Sequence, residues 1–180
     1  VTDSSSASTM GMKYYTSDLH FNHTNILNFC KRPFKNVQEM NSEIIKRWNN
    51  KVNPKDEVYI LGDFCFGNKN EVQNLLSLLN GNKYLIRGNH DGFLNKNSTE
   101  FPGFVWIRAL TEIKDEGRDV ILFHYPIESW NKKFHGSYHL YGHIHNSEIV
   151  QKIPNRFNVG VDVNDFEPKT LDELIEINKD

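Results

Sequence analysis

Aspartate, asparagine and histidine residues follow five apolar segments of this chain, each at the point where the segment ends. They occur in Asp18-x-His20, Gly62-Asp63, Gly88-Asn89-His90-Asp91, the single His124 and Gly142-His143-x-His145. Each pattern also arises by chance, as a surface loop, an ordinary turn or a buried histidine. Because all five patterns directly follow predicted strands of one chain, we interpret them as parts of a single site.

The residue types in this set indicate metal chemistry. Carboxylate, amide and imidazole donors without a thiolate suit divalent ions such as Mn²⁺, Fe²⁺ and Zn²⁺. One ion takes about four to six ligands, so two ions that share a carboxylate fit this larger set better. Two ions about 3.5–4 Å apart can bind one phosphoryl group and activate water. In an extended segment, residues two apart face the same side, which would bring Asp18 to His20 and His143 to His145.

Short apolar or aromatic segments predict the strands that must carry these loops. They cover residues 13–17, 58–61, 84–86, 104–110, 120–123, 138–141 and 157–161, with a charged turn at 114–118. Apolar spacings of three and four predict helices after His23, from Val37 to Trp48, over 72–79 and to Ile177. Asn36 with Glu39, Asn68 with Glu71 and Thr170 with Glu173 are typical capping pairs. The order of elements predicts α/β layers, which bind ligands at the carboxyl ends of strands.

Composition excludes several other classes of protein. The 180 residues favour one domain, and 21 Lys+Arg against 23 Asp+Glu give a net charge of -2, with no broad attraction to nucleic acids or anionic membranes. No apolar run reaches the ~20 residues that span a bilayer. Two cysteines, Cys30 and Cys65, exclude a disulfide scaffold and favour a cytoplasmic location. The Ser-rich residues 1–11 lack a secretory pattern and suggest a vector or tag remnant before a single domain at 12–180.

The ordered motifs D-x-H, G-D, G-N-H-D, H and G-H-x-H resemble those of the calcineurin-like metallophosphoesterase superfamily. The segments TSDLHFNHTNIL, LIRGNHD, LFHYPI and LYGHIH resemble its small single-domain bacterial and phage members. The resemblance runs from Lys13 to the C-terminus, and no motif is missing. It implies an α/β fold, a four-layer α-β-β-α sandwich of two mixed sheets flanked by helices. It also implies a hydrolase that cleaves phosphoester bonds with metal-activated water.

The same resemblance implies a role for each residue of the set. One divalent ion would be bound by Asp18, His20, Asp63 and His145, and the other by Asp63, Asn89, His124 and His143. His90 would be a general acid or a phosphate contact oriented by Asp91, and Asn89 would also face the substrate. Mn²⁺ is the first choice for both ions, and Fe²⁺, Ni²⁺ or Zn²⁺ would accept the same ligands.

Three further residues near the motifs have alternative roles on sequence grounds. His23 stands near a helix start, where it would bind a phosphate of the substrate or else support His20 or cap the helix. Arg87 precedes the G-N-H-D loop, and a structural ion pair is favoured over substrate contact. Cys65 follows Asp63 by two positions and could face the site, although both cysteines resemble small core residues.

The loop at 131–133 combines an asparagine and two lysines between Trp130 and Phe134. Such a loop could hold a nucleotide or single-stranded RNA by charge and stacking. We favour a solvated loop with its aromatic side chains packed inward. His135 and His139 receive no role.

The motifs define the reaction class more closely than the substrate. We expect a small phosphoester or nucleotide as the partner, with no membrane, no evident protein partner and nucleic acid only as a substrate. Phosphodiesters of the nucleotide or cyclic-nucleotide type are slightly favoured over phosphomonoesters such as nucleotides or phosphoproteins. A non-catalytic metal-binding scaffold is a further alternative. Members of the fold that have lost catalysis typically lack the G-N-H histidine or some metal ligands. This chain has His90 and all seven expected ligands.

Overall fold

Residues 11–180 are described by a computed structural model, in which strands and helices alternate through the first half of the chain. That half contains β1 (Lys13–Thr16), α1 (Ile26–Phe29), α2 (Val37–Lys51), β2 (Glu57–Ile60), α3 (Lys69–Leu78), β3 (Asn82–Ile86) and β4 (Phe104–Arg108). The second half contains β5 (Leu110–Asp115), β6 (Arg118–Phe123), β7 (Tyr138–Tyr141), β8 (Arg156–Asn158) and α4 (Leu171–Ile177). The suggested tag remnant lies outside the described residues, apart from Gly11.

The strands form two four-stranded sheets, in the orders β1-β2-β3-β4 and β5-β6-β7-β8. The first sheet is parallel throughout, since a helix or a longer segment returns the chain between its strands. In the second sheet β5 and β6 are antiparallel, whereas β6, β7 and β8 are parallel. The predicted α/β fold of two sheets flanked by helices is confirmed, and only the second sheet mixes strand directions.

The sequence patterns place the helices well because their signals are local. The Asn36 side chain accepts the N–H of Glu39 at the start of α2, and complete capping boxes begin α3 and α4. The buried faces of the two long helices are Met40, Ile44 and Trp48 in α2 and Val72, Leu75 and Leu76 in α3. These faces pack in one core with Val58, Ile60 and Leu85 of the first sheet.

A second core fills the space between the sheets. It contains Tyr15, Tyr59, Leu61 and Ile86 from the first sheet and its strand ends, and Val120, Leu122, Leu140 and Phe157 from the second. Neighbours such as Tyr14 and Tyr15 therefore serve different cores, because successive side chains of a strand face opposite sides. Strands buried on both faces form a rigid base for the loops at their ends.

The predicted strand at 104–110 is wrong in one respect. It is two strands in different sheets, because the chain leaves the first sheet after Arg108 and enters the second at Leu110. The second of these strands continues to Asp115, so the charged turn is shorter than predicted and is centred on Glu116 and Gly117, which both have positive φ. In the part of the chain described, no helix is long and apolar enough to cross a membrane.

The segment between β6 and β7 covers the outer face of the second sheet. Trp130 is 8% exposed, donates to Ser137 Oγ at 3.0 Å, and lies with its ring centre 5.3 Å from that of His139. The expectation that both aromatic residues pack inward holds for Trp130 and is wrong for Phe134, which is 87% exposed. His139 is fully buried and bonded to the backbone at Ile121 and Ile127, so it has a structural role.

Candidate metal centre

The ends of five strands meet at one edge of the two sheets. The loops after β1, β2 and β3 carry Asp18, His20, Asp63 and Asn89, and the ends of β6 and β7 carry His124, His143 and His145. Contacts connect all seven of these predicted ligands. The fold therefore brings together the seven side chains that the sequence patterns predicted as ligands.

Asp63 lies between histidines of the two predicted ligand groups. Its Oδ2 is 3.5 Å from His20 Nε2 and 3.6 Å from His124 Nε2, and its Oδ1 accepts the backbone N–H of His90 at 2.8 Å. Burial acts to raise the pKa of Asp63, but the neighbouring imidazoles of His20 and His124 and the backbone N–H of His90 outweigh it and lower the pKa to about 2. Asp63 is therefore an ionised carboxylate with its two oxygens in different roles.

Asp18 is buried with its two oxygens in contrasting surroundings. Oδ2 accepts the hydroxyl of Ser17 at 2.6 Å and the N–H of His143 at 2.8 Å. Oδ1 is 4.0 Å from His20 Nε2 and 3.8 Å from His145 Nε2. Burial raises the pKa of Asp18 to about 6, because a carboxylate removed from water is less stable as an anion.

Two buried atoms of this group lack any hydrogen-bond partner among the described residues. They are Asp18 Oδ1 and His20 Nε2. Buried polar atoms without partners are rare in proteins and are costly, and a cation between these atoms would satisfy both. Donor atoms of Asp18, His20 and His145 lie within 4.8 Å of one another, as do those of Asp18, Asp63 and His124. Oxygen and nitrogen donors at this spacing fit a divalent metal ion.

His124 and Asn89 belong to the second predicted group. His124 Nδ1 is 2.5 Å from the carbonyl oxygen of Leu61, and Nε2 is 2.9 Å from Asn89 Oδ1. When His124 is neutral and Nδ1–H donates to Leu61, the lone pair on Nε2 faces the amide oxygen. Two acceptors that face each other form a site that a cation can bridge. The ring of His143 completes this side, with its centre 5.2 Å from that of His124.

Five of the seven predicted ligands have a left-handed backbone conformation. The φ angles are 57° for Asp18, 51° for His20, 54° for Asp63, 72° for His143 and 53° for His145. The backbone of Asp18-x-His20 and of His143-x-His145 is therefore not extended as expected, although Asp18 Oδ1 and His20 Nε2 do lie 4.0 Å apart. A residue other than glycine in this conformation costs about 1–2 kcal/mol, so strain is concentrated at this edge of the sheets.

The structure gives Asp91 a place different from the one expected. Its Oδ1 accepts the N–H of Phe64 at 2.8 Å, and its Oδ2 accepts those of Gly88 at 2.6 Å and Asp63 at 3.0 Å. Within residues 11–180 its carboxylate makes no hydrogen bond with the His90 ring. The expectation that Asp91 orients His90 is wrong, because the carboxylate is occupied in holding the loop that carries Asp63. The ring of His90 is exposed, with its centre 5.8 Å from that of His20.

The position of His23 favours support of His20 over direct phosphate binding. Its Nδ1 lies 3.0 Å from Nδ1 of His20, and its ring stacks on Phe66 with centres 4.1 Å apart. Burial lowers the pKa of His23 and favours the neutral ring, which can accept a proton from or donate one to His20.

Arg87 and Cys65 are both structural. Arg87 donates to the backbone oxygens of Asn95 at 3.0 Å and Ser98 at 2.7 Å, so its partners are carbonyl groups and the expected ion pair is wrong. Cys65 is buried beside Asn22, and burial raises the pKa of its thiol to about 12. A thiol of this kind is neutral and is a poor metal ligand.

Three residues of the site did not emerge from the sequence. Ser17 precedes Asp18, and its position next to a predicted ligand was a usable signal. Arg32 and Asp162 form a buried ion pair behind His145, with Arg32 Nε 2.9 Å from Asp162 Oδ1. They are 130 residues apart in the chain, and no local pattern joins them.

Comparison with known proteins bears on the family and the fold of this chain. The profile of the family described as calcineurin-like phosphoesterase matches residues 14–112. The uncharacterized protein MJ1445 of Methanocaldococcus jannaschii is 37% identical over 171 residues, which cover 91% of this chain and 89% of that protein. The gene 66 protein of Mycobacterium phage L5 is 29% identical, with 85% of this chain and 87% of that protein covered.

A solved structure has a similar fold over nearly the whole chain. It is that of the protein of unknown function AQ665 from Aquifex aeolicus, with a TM-score of 0.72 and 28% identity, covering 93% of this chain and 99% of that one. The family profile spans more than half of the present chain and includes the loops of Asp18, Asp63 and Asn89. The chain belongs to the calcineurin-like phosphoesterase family and is a hydrolase that acts on phosphoester bonds.

Proposed function

We propose that this protein is a phosphodiesterase with two divalent metal ions that hydrolyses small phosphodiesters of the nucleotide or cyclic-nucleotide type. Asp18, His20, Asp63 and His145 would hold one ion, and Asp63, Asn89, His124 and His143 the other. Mn²⁺ is the preferred metal, with Fe²⁺, Ni²⁺ and Zn²⁺ as alternatives for the same donors. The buried thiols of Cys30 and Cys65 fit a reducing, cytoplasmic location.

One observation carries the two-ion proposal. A single oxygen of Asp63 lies 3.5 Å from a histidine of one group and 3.6 Å from a histidine of the other. A carboxylate in that position serves both ions with one negative charge. Asp18 Oδ1 and His20 Nε2, which have no hydrogen-bond partner among residues 11–180, support the first of the two ions.

The bound ions would supply Lewis acidity to the phosphoryl group and to the attacking water. The protein would fix the donors before substrate arrives. Asp91 holds the backbone of Gly88, Asp63 and Phe64, and Ser17 holds Asp18. Prearranged groups of this kind need little reorganisation during the reaction.

The two arginines near the motifs favour a diester over a monoester. A phosphomonoester carries a second negative charge, which arginine binds well through paired N–H groups. Arg32 is committed to Asp162 and to backbone oxygens, and Arg87 is committed to backbone oxygens. Arg32 is therefore not free to neutralise that second charge, and Nη2 of Arg87 is anchored to the backbone oxygens of Asn95 and Ser98, so a diester monoanion is the better match.

The exposed ring of His90 suits a proton donor at the mouth of the site. Its backbone N–H is bonded to Asp63, which fixes the start of the side chain without using the ring. A positioned acid is worth about 10²–10⁴-fold when the leaving group is a poor one. We assign His90 the role of general acid, which donates a proton to the departing ester oxygen.

The test compares bis(4-nitrophenyl) phosphate with 4-nitrophenyl phosphate, which release the same leaving group. We expect a higher kcat/KM for the diester with added Mn²⁺, and loss of activity with a chelator. Asp165→Asn should show the same preference as the wild type, because Asp165 is an exposed acid paired with Lys169. A higher kcat/KM for the monoester would instead establish a phosphomonoesterase. Mn²⁺ binding without hydrolysis of either ester would favour the non-catalytic scaffold.

A further inference from the structure

A buried ion pair lies directly behind the first proposed metal group. Arg32 Nε and a terminal nitrogen of Arg32 contact the two oxygens of Asp162 at 2.9 and 3.0 Å. The side chains are 0% and 2% exposed. Such two-point contact fixes both groups in one plane, which a lysine at position 32 would not do.

The terminal nitrogens of Arg32 also hold the loop that follows β1. The remaining nitrogen, Nη1, donates to the carbonyl oxygen of Leu19 at 2.7 Å, and Nη2, which also contacts Asp162, donates to that of Asp18 at 2.6 Å. These are the backbone groups between Asp18 and His20, whose left-handed conformations need external support. Arg32 therefore fastens the loop that carries two proposed ligands of the first ion.

Asp162 holds the third ligand from the other side. Its Oδ2 is 2.9 Å from Nδ1 of His145, and Nε2 of His145 is 3.8 Å from Asp18 Oδ1. A carboxylate bonded to one ring nitrogen of a histidine fixes the orientation of the ring and directs the other nitrogen to the metal. Asp162 therefore determines which nitrogen of His145 faces Asp18.

The pair links loops that belong to different sheets. Asp18 and His20 follow β1 of the first sheet, whereas His145 follows β7 of the second. Packing alone would accept apolar side chains at positions 32 and 162, since a buried ion pair is often no more stabilising than an apolar pair of similar volume. The bidentate contact and its connections to three proposed ligands point to a role in the site.

We propose that Arg32 and Asp162 are positioning residues that hold His145 with Nε2 directed at the first metal site. This inference rests on the proposed function, because the ion held by His145 belongs to it. Neither residue touches substrate, and both act through His145 and the loop after β1. Loss of such a partner typically weakens metal affinity by about 10–100-fold.

The main test is calorimetric titration of Mn²⁺ into the metal-free protein and into Asp162→Asn. We expect affinity for the first ion to fall by about 10–100-fold in the variant. An amide at position 162 has one acceptor oxygen, so it cannot keep the two-point contact with Arg32 together with the bond to His145. Asp165→Asn makes the same chemical change three residues away at an exposed acid, and it should bind Mn²⁺ as the wild type does. The asparagine also suits the φ of 57° at position 165.

A spectroscopic measurement separates positioning from general stability. In protein labelled with ¹⁵N-histidine, the Nδ1 proton of His145 should be protected and shifted downfield in the wild type and in Asp165→Asn. Asp162→Asn should lose that signal. The measurement is made without metal, so it tests the positioning even if the wild type binds no Mn²⁺, a result that would refute the proposed function.

A second variant addresses misfolding. Arg32→Met with Asp162→Leu removes both buried charges together, so no uncompensated charge stays inside. We expect a folded protein with a lower melting temperature, because the carbonyl groups of Asp18 and Leu19 lose their donor, together with weakened Mn²⁺ binding and no His145 signal. The inference would be overturned if a folded Asp162→Asn or the double variant kept both the wild-type affinity and the His145 signal.

Discussion

The backbone N–H of His90 donates to Oδ1 of Asp63 at 2.8 Å. This bond joins the loop after β3 to the loop after β2, and it leaves Oδ2 of Asp63 to face His20 and His124. It does not involve the ring of His90. This contact is consistent with the proposed roles, in which Asp63 Oδ2 binds the metal ions and the His90 ring acts on the substrate.

Replacement of Asp63 by asparagine should impair both metal sites. The change removes the one charge that lies between His20 and His124, and an amide is a weaker ligand than a carboxylate. We expect metal content by elemental analysis to fall well below two per chain, and activity to fall by more than about 100-fold, since a direct ligand should matter more than an outer partner. A variant that retained both ions and the normal rate would contradict the bridging role.

Divalent metal should stabilise the fold. Asp18 and Asp63 are buried close together, and Asp18 Oδ1 and His20 Nε2 have no partner among the described residues without an ion. Binding to the native state alone at 100 times Kd adds about 2.7 kcal/mol. For a chain of this size the melting temperature should rise by roughly 5–10 °C with Mn²⁺ relative to chelator. Equal melting temperatures in the two conditions would contradict metal binding at this edge.

The parts of this molecule that sequence could predict are those with local signals. Asn68 and Glu71 cap α3 as their spacing indicates, and the motif residues converge because each ends a strand of a layered fold. The place where the chain changes sheets, between Arg108 and Leu110, has no local pattern. The Arg32–Asp162 pair joins residues 130 apart, and only the packed fold makes that contact.

Replacement of Gly88 by alanine should be disruptive, because the added methyl group would overlap with Asp63. A Cβ at this position would lie 2.3 Å from Asp63 Oδ1 and 2.6 Å from the backbone nitrogen of Asp63. We expect Gly88→Ala to displace Asp63, weaken Mn²⁺ binding and lower the free energy of unfolding by about 1–3 kcal/mol. Gly92→Ala is the control, because a Cβ added there would have no atom of the described residues within 4 Å. Similar metal affinities in the two variants would refute the steric argument.

His139 should make the protein less stable in mild acid. Burial lowers its pKa from 6.5 to about 4 in the native state, so the unfolded chain binds a proton more readily between these pH values. The free energy of unfolding should therefore fall as pH decreases from 6.5 to 4, by about 3 kcal/mol from this group. The free energy of unfolding, measured by chemical denaturation at several pH values, should depend less steeply on pH in His139→Asn than in the wild type.

The control for that measurement is His135→Asn, which alters an exposed histidine in the preceding segment. It should keep the wild-type dependence on pH. If His139→Asn kept it as well, the acid sensitivity would have to come from other groups.

The role of His90 can be separated from that of a metal ligand by the leaving group. If His90 protonates the departing oxygen, His90→Ala should retain both ions and lose activity by about 10²–10⁴-fold on an alkyl or nucleoside diester. A nitrophenolate is stable as an anion and needs much less help, so the loss on a nitrophenyl diester should be far smaller. Metal content and the two rates are measured on the same preparation. Equal losses on both esters, with both ions retained, would mean that His90 contacts the phosphate without donating a proton. Loss of an ion would mean that His90 is itself a ligand.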